Sequence, residues 1–134
     1  HLVELRKRLM IAALALVGVI ATLAIRRRRE GPAGRRAAVV QHRDRLLADL
    51  ARSDLPDNAF LDKAHQALVL QAELAGEKGA FEFVDSLERR GRDVGDLRLV
   101  LARADEAKFS GGVAARIDLE ERRRVARALK EACR

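Results

Sequence analysis

Leu9 to Ile25 reads LMIAALALVGVIATLAI, seventeen residues without a charge and with Thr22 as the only polar side chain. At about 1.5 Å per residue, a helix of that length spans roughly 26 Å, enough for a thin hydrocarbon core. Arg6, Lys7 and Arg8 precede the run, and Arg26, Arg27, Arg28 and Arg29 follow it. Long basic side chains at both ends snorkel toward headgroups and lengthen the effective span. A helix buried in a protein core rarely leaves through four consecutive arginines. A signal peptide would end in small residues at a cleavage site, whereas this run ends in a stop-transfer pattern. The sequence therefore predicts a basic flank over 1–8, one transmembrane helix over 9–25, a basic hinge over 26–36 and a helical domain over 37–134.

The flanks also predict a side. Beyond Ile25 come Arg26 to Arg29, Arg35, Arg36, Arg43 and Arg45; before the run, three basic residues are offset by Glu4. The positive-inside bias places everything after Ile25 in the cytoplasm. Anionic headgroups would attract the same arginines by about 1 kcal/mol each near the surface. A start at His1 rather than Met suggests a piece of a longer polypeptide, with the remainder upstream.

The formal charge of +7 divides unevenly. Residues 1–52 hold 12 Lys/Arg against 4 Asp/Glu, and residues 53–134 hold 15 against 16. The basic excess thus lies beside the apolar run, and the remainder is close to neutral. Together with the lack of aromatics interleaved among the arginines, this argues against nucleic acid as a partner. Aromatics make up 3% of the chain, with no Trp or Tyr, so Leu, Ala and Val must build the core, which favours packed helices over sheets. The single cysteine, Cys133, allows no intramolecular disulfide and no thiolate cluster for zinc.

The rest of the chain reads as all-α, a bundle of about four to five helices. Glu30-Gly31-Pro32-Ala33-Gly34 is a breaker segment. Val39, the Arg43 stem, Leu46, Leu47 and Leu50 then share one helix face. Ser53 to Asn58 ends that helix and offers Asp57 or Asn58 as the next N-cap. A second helix is expected over 59–75 on Phe60, Leu61, Ala64, Ala67, Leu68, Gln71, Ala72 and Ala75, with Gly76 and Gly79 at its exit. A third covers about 80–90 with Phe81, Val84 and Leu87 inward, and Gly91 stops it. Asp93 or Asp96 caps a fourth on Leu97, Val100, Leu101, Ala104 and Ala107; Phe109 folds back beneath it, and Gly111-Gly112 ends it. Asp118-Leu119-Glu120-Glu121 is a capping-box start for a fifth on Leu119, Val125, Ala126, Leu129 and Cys133. Val113–Ile117 is too short for a strand. The helix spacing allows a tetratricopeptide-like module, although the Trp, Tyr and Pro landmarks are absent.

Little in the sequence points to catalysis. His42 and His65 fall on different helices, and neither has a second His or Cys at i+3 or i+4. Asp105 and Glu106 are adjacent and point about 100° apart on a helix, so they do not converge. Ser110-Gly111-Gly112 lacks the fuller glycine pattern and the following Lys-Ser/Thr of a phosphate loop. Arg89, Arg90 and Arg92, and then Arg122, Arg123 and Arg124, are basic runs in a neutral domain. They read either as solvated faces with local ion pairs or as docking points for an acidic partner. No enzyme, cofactor or metal is expected.

Two resemblances bear on partners. A membrane helix ending in arginines is followed by Phe60-Leu61-Asp62-Lys63-Ala64-His65-Gln66-Ala67-Leu68 and by Leu87-Glu88-Arg89-Arg90-Gly91. The segment from Leu97 to Gly112, LRLVLARADEAKFSGG, completes the order. This pattern, over residues 10–131, resembles the C-terminal part of bacterial aerotolerance (Bat) operon proteins of the BatD type, with Ala104 where that family often has Cys. The resemblance implies a single-pass protein of the bacterial inner membrane in an envelope or stress-related assembly. Its partners would be von Willebrand factor A-type Bat proteins and a MoxR-type AAA+ ATPase. Separately, His1 to Leu9 looks like the segment before the first membrane helix of TatC translocase proteins. That likeness implies an accessory or regulatory subunit of a translocation system. The leading expectation is a membrane-anchored, non-catalytic adaptor whose helical domain binds other proteins.

Overall fold

The computed structural model describes residues 2–29, 31–52, 54–109 and 116–134. The apolar run and its flanks form α1 (Leu2–Arg29), followed by α2 (Pro32–Leu50), α3 (Asp57–Leu74), α4 (Ala80–Arg89), α5 (Gly95–Phe109) and α6 (Leu119–Ala132). The fold is all-α, one long apolar helix plus a small bundle, with no strand among the described residues. It divides into two compact units, His1–Ala37 and Ala38–Arg134, with the division inside α2.

In the first unit the expected hinge over 26–36 is mostly helix. Arg26 to Arg29 continue α1, and α2 begins at Pro32. Proline is well placed at the first helical position, where its missing N–H would have had no partner and its φ already suits a helix. The Gly31 carbonyl accepts the Arg35 N–H at 3.1 Å, closing the first turn across Gly34. Gly31 lies between the two helices, and Pro32 starts the second.

The second unit is organised around α3, which packs against α4, α5 and α6; α5 also packs on α4 and α6. Phe60, Leu61, Leu68, Val84, Val100, Val125 and Leu129 are its largest fully buried side chains. Ala64 and Ala67 are also fully buried on α3, and such small residues let neighbouring helices approach closely. Burying each large aliphatic side chain contributes about 1.5–3 kcal/mol. Two connecting residues, Val94 and Ile117, add to the core, and the helical periodicities did not include them.

Helix ends follow local chemistry. Asp118 accepts the Glu121 N–H at 2.8 Å, and the Glu121 carboxylate accepts the Asp118 N–H at 3.3 Å, so the capping box forms as expected. Gly76 and Gly91 take positive φ, 74° and 81°. After Gly76, the Glu77 N–H reaches the Ala72 carbonyl at 2.9 Å; after Gly91, the Arg92 N–H reaches Leu87 at 3.1 Å. Both are the six-residue closures that a left-handed glycine permits.

The structure departs from the sequence pattern at four positions. The N-cap of α3 is Pro56, in extended conformation with no side-chain cap, and Asp57 is already helical. Phe83, 5% exposed, points inward in place of Phe81, 57% exposed, because Ala80, Phe83, Val84 and Leu87 follow the i, i+3, i+4, i+7 stripe. Leu119 is exposed, and Ala132 is buried on α6 instead. Ala75 is exposed, as the residue that leaves α3. At α5 the Asp93 carboxylate accepts the Gly95 N–H at 3.0 Å, and Asp96 falls within the first turn. The expected stop at Ser110-Gly111-Gly112, Val113 to Ala115 of the segment read as too short for a strand, and the Phe109 side chain lie outside the described residues. So do His1, Glu30, Ser53 and the side chains of Arg27, Arg28 and Arg29.

Candidate functional site

Helix α1 meets the requirements for a membrane crossing in length and composition, with Leu2–Arg26 as the candidate span. None of the span is buried within the fold. Thr22, the one polar side chain of the run, donates its hydroxyl to the Gly18 carbonyl at 2.8 Å. That bond satisfies the group without water, as a hydrocarbon environment demands. Arg6, Lys7, Arg8 and Arg26 are exposed on the same continuous helix. Their stems can therefore lie along the helix while the charges reach either interface.

The expected docking arginines separate into distinct roles. Arg122 has a side chain only 13% exposed. It donates to the Leu55 carbonyl at 2.6 Å and to the Asp57 carboxylate, and it lies 5.1 Å from the Phe60 ring centroid. These contacts fasten the start of α3 to α6 and add a cation–π attraction. Arg124 lies 3.9 Å from Asp96, and Arg89 donates to the Asp85 carbonyl one turn back at 3.4 Å. Arg123 and Arg90 are exposed without an ion-pair partner among the described residues. The structure does not gather the two runs into one patch, since Arg89 is on α4, Arg122 to Arg124 are on α6, and those helices share no extensive contact.

Other charged side chains act as fasteners that the sequence runs did not reveal. Arg98 on α5 pairs with Asp85 at 2.9 Å and with Glu88, both on α4. Arg103 pairs with Glu121 at 3.3 Å, Lys63 with Asp49 at 3.0 Å, and Arg43 donates to Gln71 at 2.7 Å. An alternating charge pattern in sequence gives no sign of which cation crosses to a neighbouring helix; only the packing decides it.

No three His, Cys, Asp or Glu side chains converge as metal ligands would, among the described residues. His42 is exposed and His65 half-buried, and Asp105 and Glu106 face solvent. Cys133 is half-buried; burial raises its thiol above the ordinary value, with Arg43 pulling the other way, so it stays protonated at neutral pH.

Concavities remain on the bundle. One of about 360 Å³ lies between α3, α4 and α5, with exposed Phe81 beside Leu61, His65, Leu101 and Lys108. Two adjoining depressions of about 430 and 490 Å³ run between the end of α2 and α6 and share Ala51, Ala126 and Arg127. The chain matches no protein-family model, no curated protein and no solved structure.

Proposed function

We propose that this chain is a membrane-anchored, non-catalytic adaptor, with α1 in the lipid and the Ala38–Arg134 unit presented to protein partners. The observation that carries this reading is the exposure of α1. Thirteen large apolar side chains lie bare along it, from Leu2 at 80% to Ile25 at 54%. In water such a surface would drive aggregation, whereas in a bilayer it is solvated. The arginine-rich side after Ile25 supports a cytoplasmic bundle at a bacterial inner membrane. Resemblance to the BatD type supports von Willebrand factor A-type Bat proteins and a MoxR-type ATPase as partners.

The test has two arms. Alkaline carbonate washing should leave the full chain in the membrane fraction, and protease added outside spheroplasts should spare the segment beyond Ile25. Release by carbonate overturns the anchor, and digestion overturns the orientation. Affinity capture from detergent extracts should retain an ATPase or a von Willebrand A-type protein; recovery of translocase components instead would favour an accessory translocation subunit.

A further inference from the structure

We propose that the groove between α2 and α6 seats an acidic, amphipathic helix of a partner protein; this deepens the adaptor reading and rests on it. The floor is apolar and low. Leu47, Ala48 and Ala51 come from the α2 side, and Ala126 from α6, with exposed Leu119 at one end. Side chains this small leave a helix room to lie against the surface.

The rim supplies the sign of the partner. Arg123, Arg127 and Lys130 stand at i, i+4 and i+7 on α6, so they share one face. All three line the groove, all are exposed, and none has an ion-pair partner among the described residues. No carboxylate lines either depression. This is unusual in a unit whose other cations so often cross to a neighbouring carboxylate, as Arg98, Arg103 and Arg122 do. Arg52, also at the groove, is already neutralised by Asp54 at 3.0 Å. Three unanswered positive charges along an apolar trough complement carboxylates flanking an apolar stripe. From Leu119 to Lys130 the trough follows α6 for roughly 17 Å, about three turns of a bound helix. A flat anionic bilayer would meet the rim but not the floor, so the concave shape favours a helix.

The test uses the full chain in neutral phosphatidylcholine nanodiscs and a labelled peptide of about five turns. The peptide carries Leu at i, i+3, i+4 and i+7 with Glu on both flanks, and binding is read by fluorescence anisotropy. Binding should weaken as salt rises. Arg123→Glu with Arg127→Glu and Lys130→Glu should weaken it by about tenfold or more. Ala51→Glu, on the floor, should act in the same direction. A Lys-flanked version of the peptide should prefer the charge-reversed chain, which also shows that the variant is folded. Equal binding by a scrambled peptide of the same composition overturns the proposal, as does binding indifferent to these substitutions. If the reversal leaves peptide binding intact and instead abolishes adhesion of the nanodisc-held chain to phosphatidylglycerol vesicles, the groove meets lipid and the proposal falls. Carbonate retention of the same variants is read in parallel, so failure of the anchor and failure of the groove give different results.

Discussion

Helix α1 and the bundle draw on the same apolar residues, chiefly Leu, Ala and Val, and dispose of them in opposite ways. Among the described residues, thirteen of the large hydrophobic side chains left exposed are on α1, and Val69, Phe81 and Leu119 are on the bundle. The bundle helices confine apolar residues to stripes and turn those stripes toward α3, whereas the run in α1 is apolar all round. A helix of the second kind is stable only where its whole surroundings are apolar. The two parts meet one rule, that apolar surface leaves water, in different ways: the bundle buries its stripes in a protein core, and on the anchor reading proposed above α1 would find its host in lipid.

The largest effect should come from attacking that host directly. Leu16→Asp with Val19→Asp places two carboxylates at the centre of α1, at about 3 kcal/mol each against insertion. Carbonate extraction should then release most of the chain, while circular dichroism of the bundle is unchanged. Full retention in the membrane would end the lipid reading of α1.

The converse substitution belongs in the bundle. Phe60 is completely buried, where α3 meets its neighbours, so Phe60→Ala should cost about 3–5 kcal/mol. That is a large share of the about 5–15 kcal/mol that holds an ordinary domain folded. Urea denaturation of the full chain in detergent should show the midpoint fall steeply, with carbonate retention untouched. Coupled loss of both would mean that the two parts do not stand independently.

Much of this division was legible because it rests on periodicity and composition. The uncharged run, the stripe on α3 and the Asp118 capping box each follow from local chemistry, and the structure carries all three. Phe81, Val84 and Leu87 follow a spacing of three, which drifts off a 3.6-residue face over two turns; Phe83 keeps to that face and is buried in place of Phe81. The break expected at Gly31-Pro32 falls between α1 and α2, and its extent is short because proline is favourable at a first helical position. The site was less legible than the fold. Arg122, Arg123 and Arg124 are three identical neighbours in sequence, and only the approach of Leu55, Asp57 and Phe60 sets the first apart. The α2–α6 groove is likewise formed by residues more than sixty positions apart.

Those adjacent arginines sharpen the comparison inside the bundle, between side chains that hold the fold and side chains left in solvent. Arg122→Ala removes the bonds to Leu55 and Asp57 and the ring contact, and should destabilise the chain by about 2 kcal/mol. Arg123→Ala touches no such partner and should stay within about 0.5 kcal/mol. Urea midpoints of the two variants decide it. Equal midpoints would mean that the Arg122 contacts contribute nothing net to the fold.

The smallest effect expected separates the two parts by pH. The Asp118 carboxylate is held below the usual carboxylate range because it accepts the Glu121 N–H. A carboxylate lower in the folded than in the unfolded chain stabilises the fold above its unfolded value, about pH 4, and loses that contribution as pH falls through the folded value. Asp118→Asn keeps a good cap acceptor without a titrating proton. Between about pH 6 and about pH 3 the variant's melting temperature should therefore fall less than that of the parent chain. Asp54, also held low by Arg52, titrates in the same window in both chains and cancels in the difference. Residues 9–25 contain no carboxylate, so membrane retention should not follow the acid transition. Identical acid sensitivity of parent and variant would show that the cap's charge contributes nothing beyond its hydrogen bond.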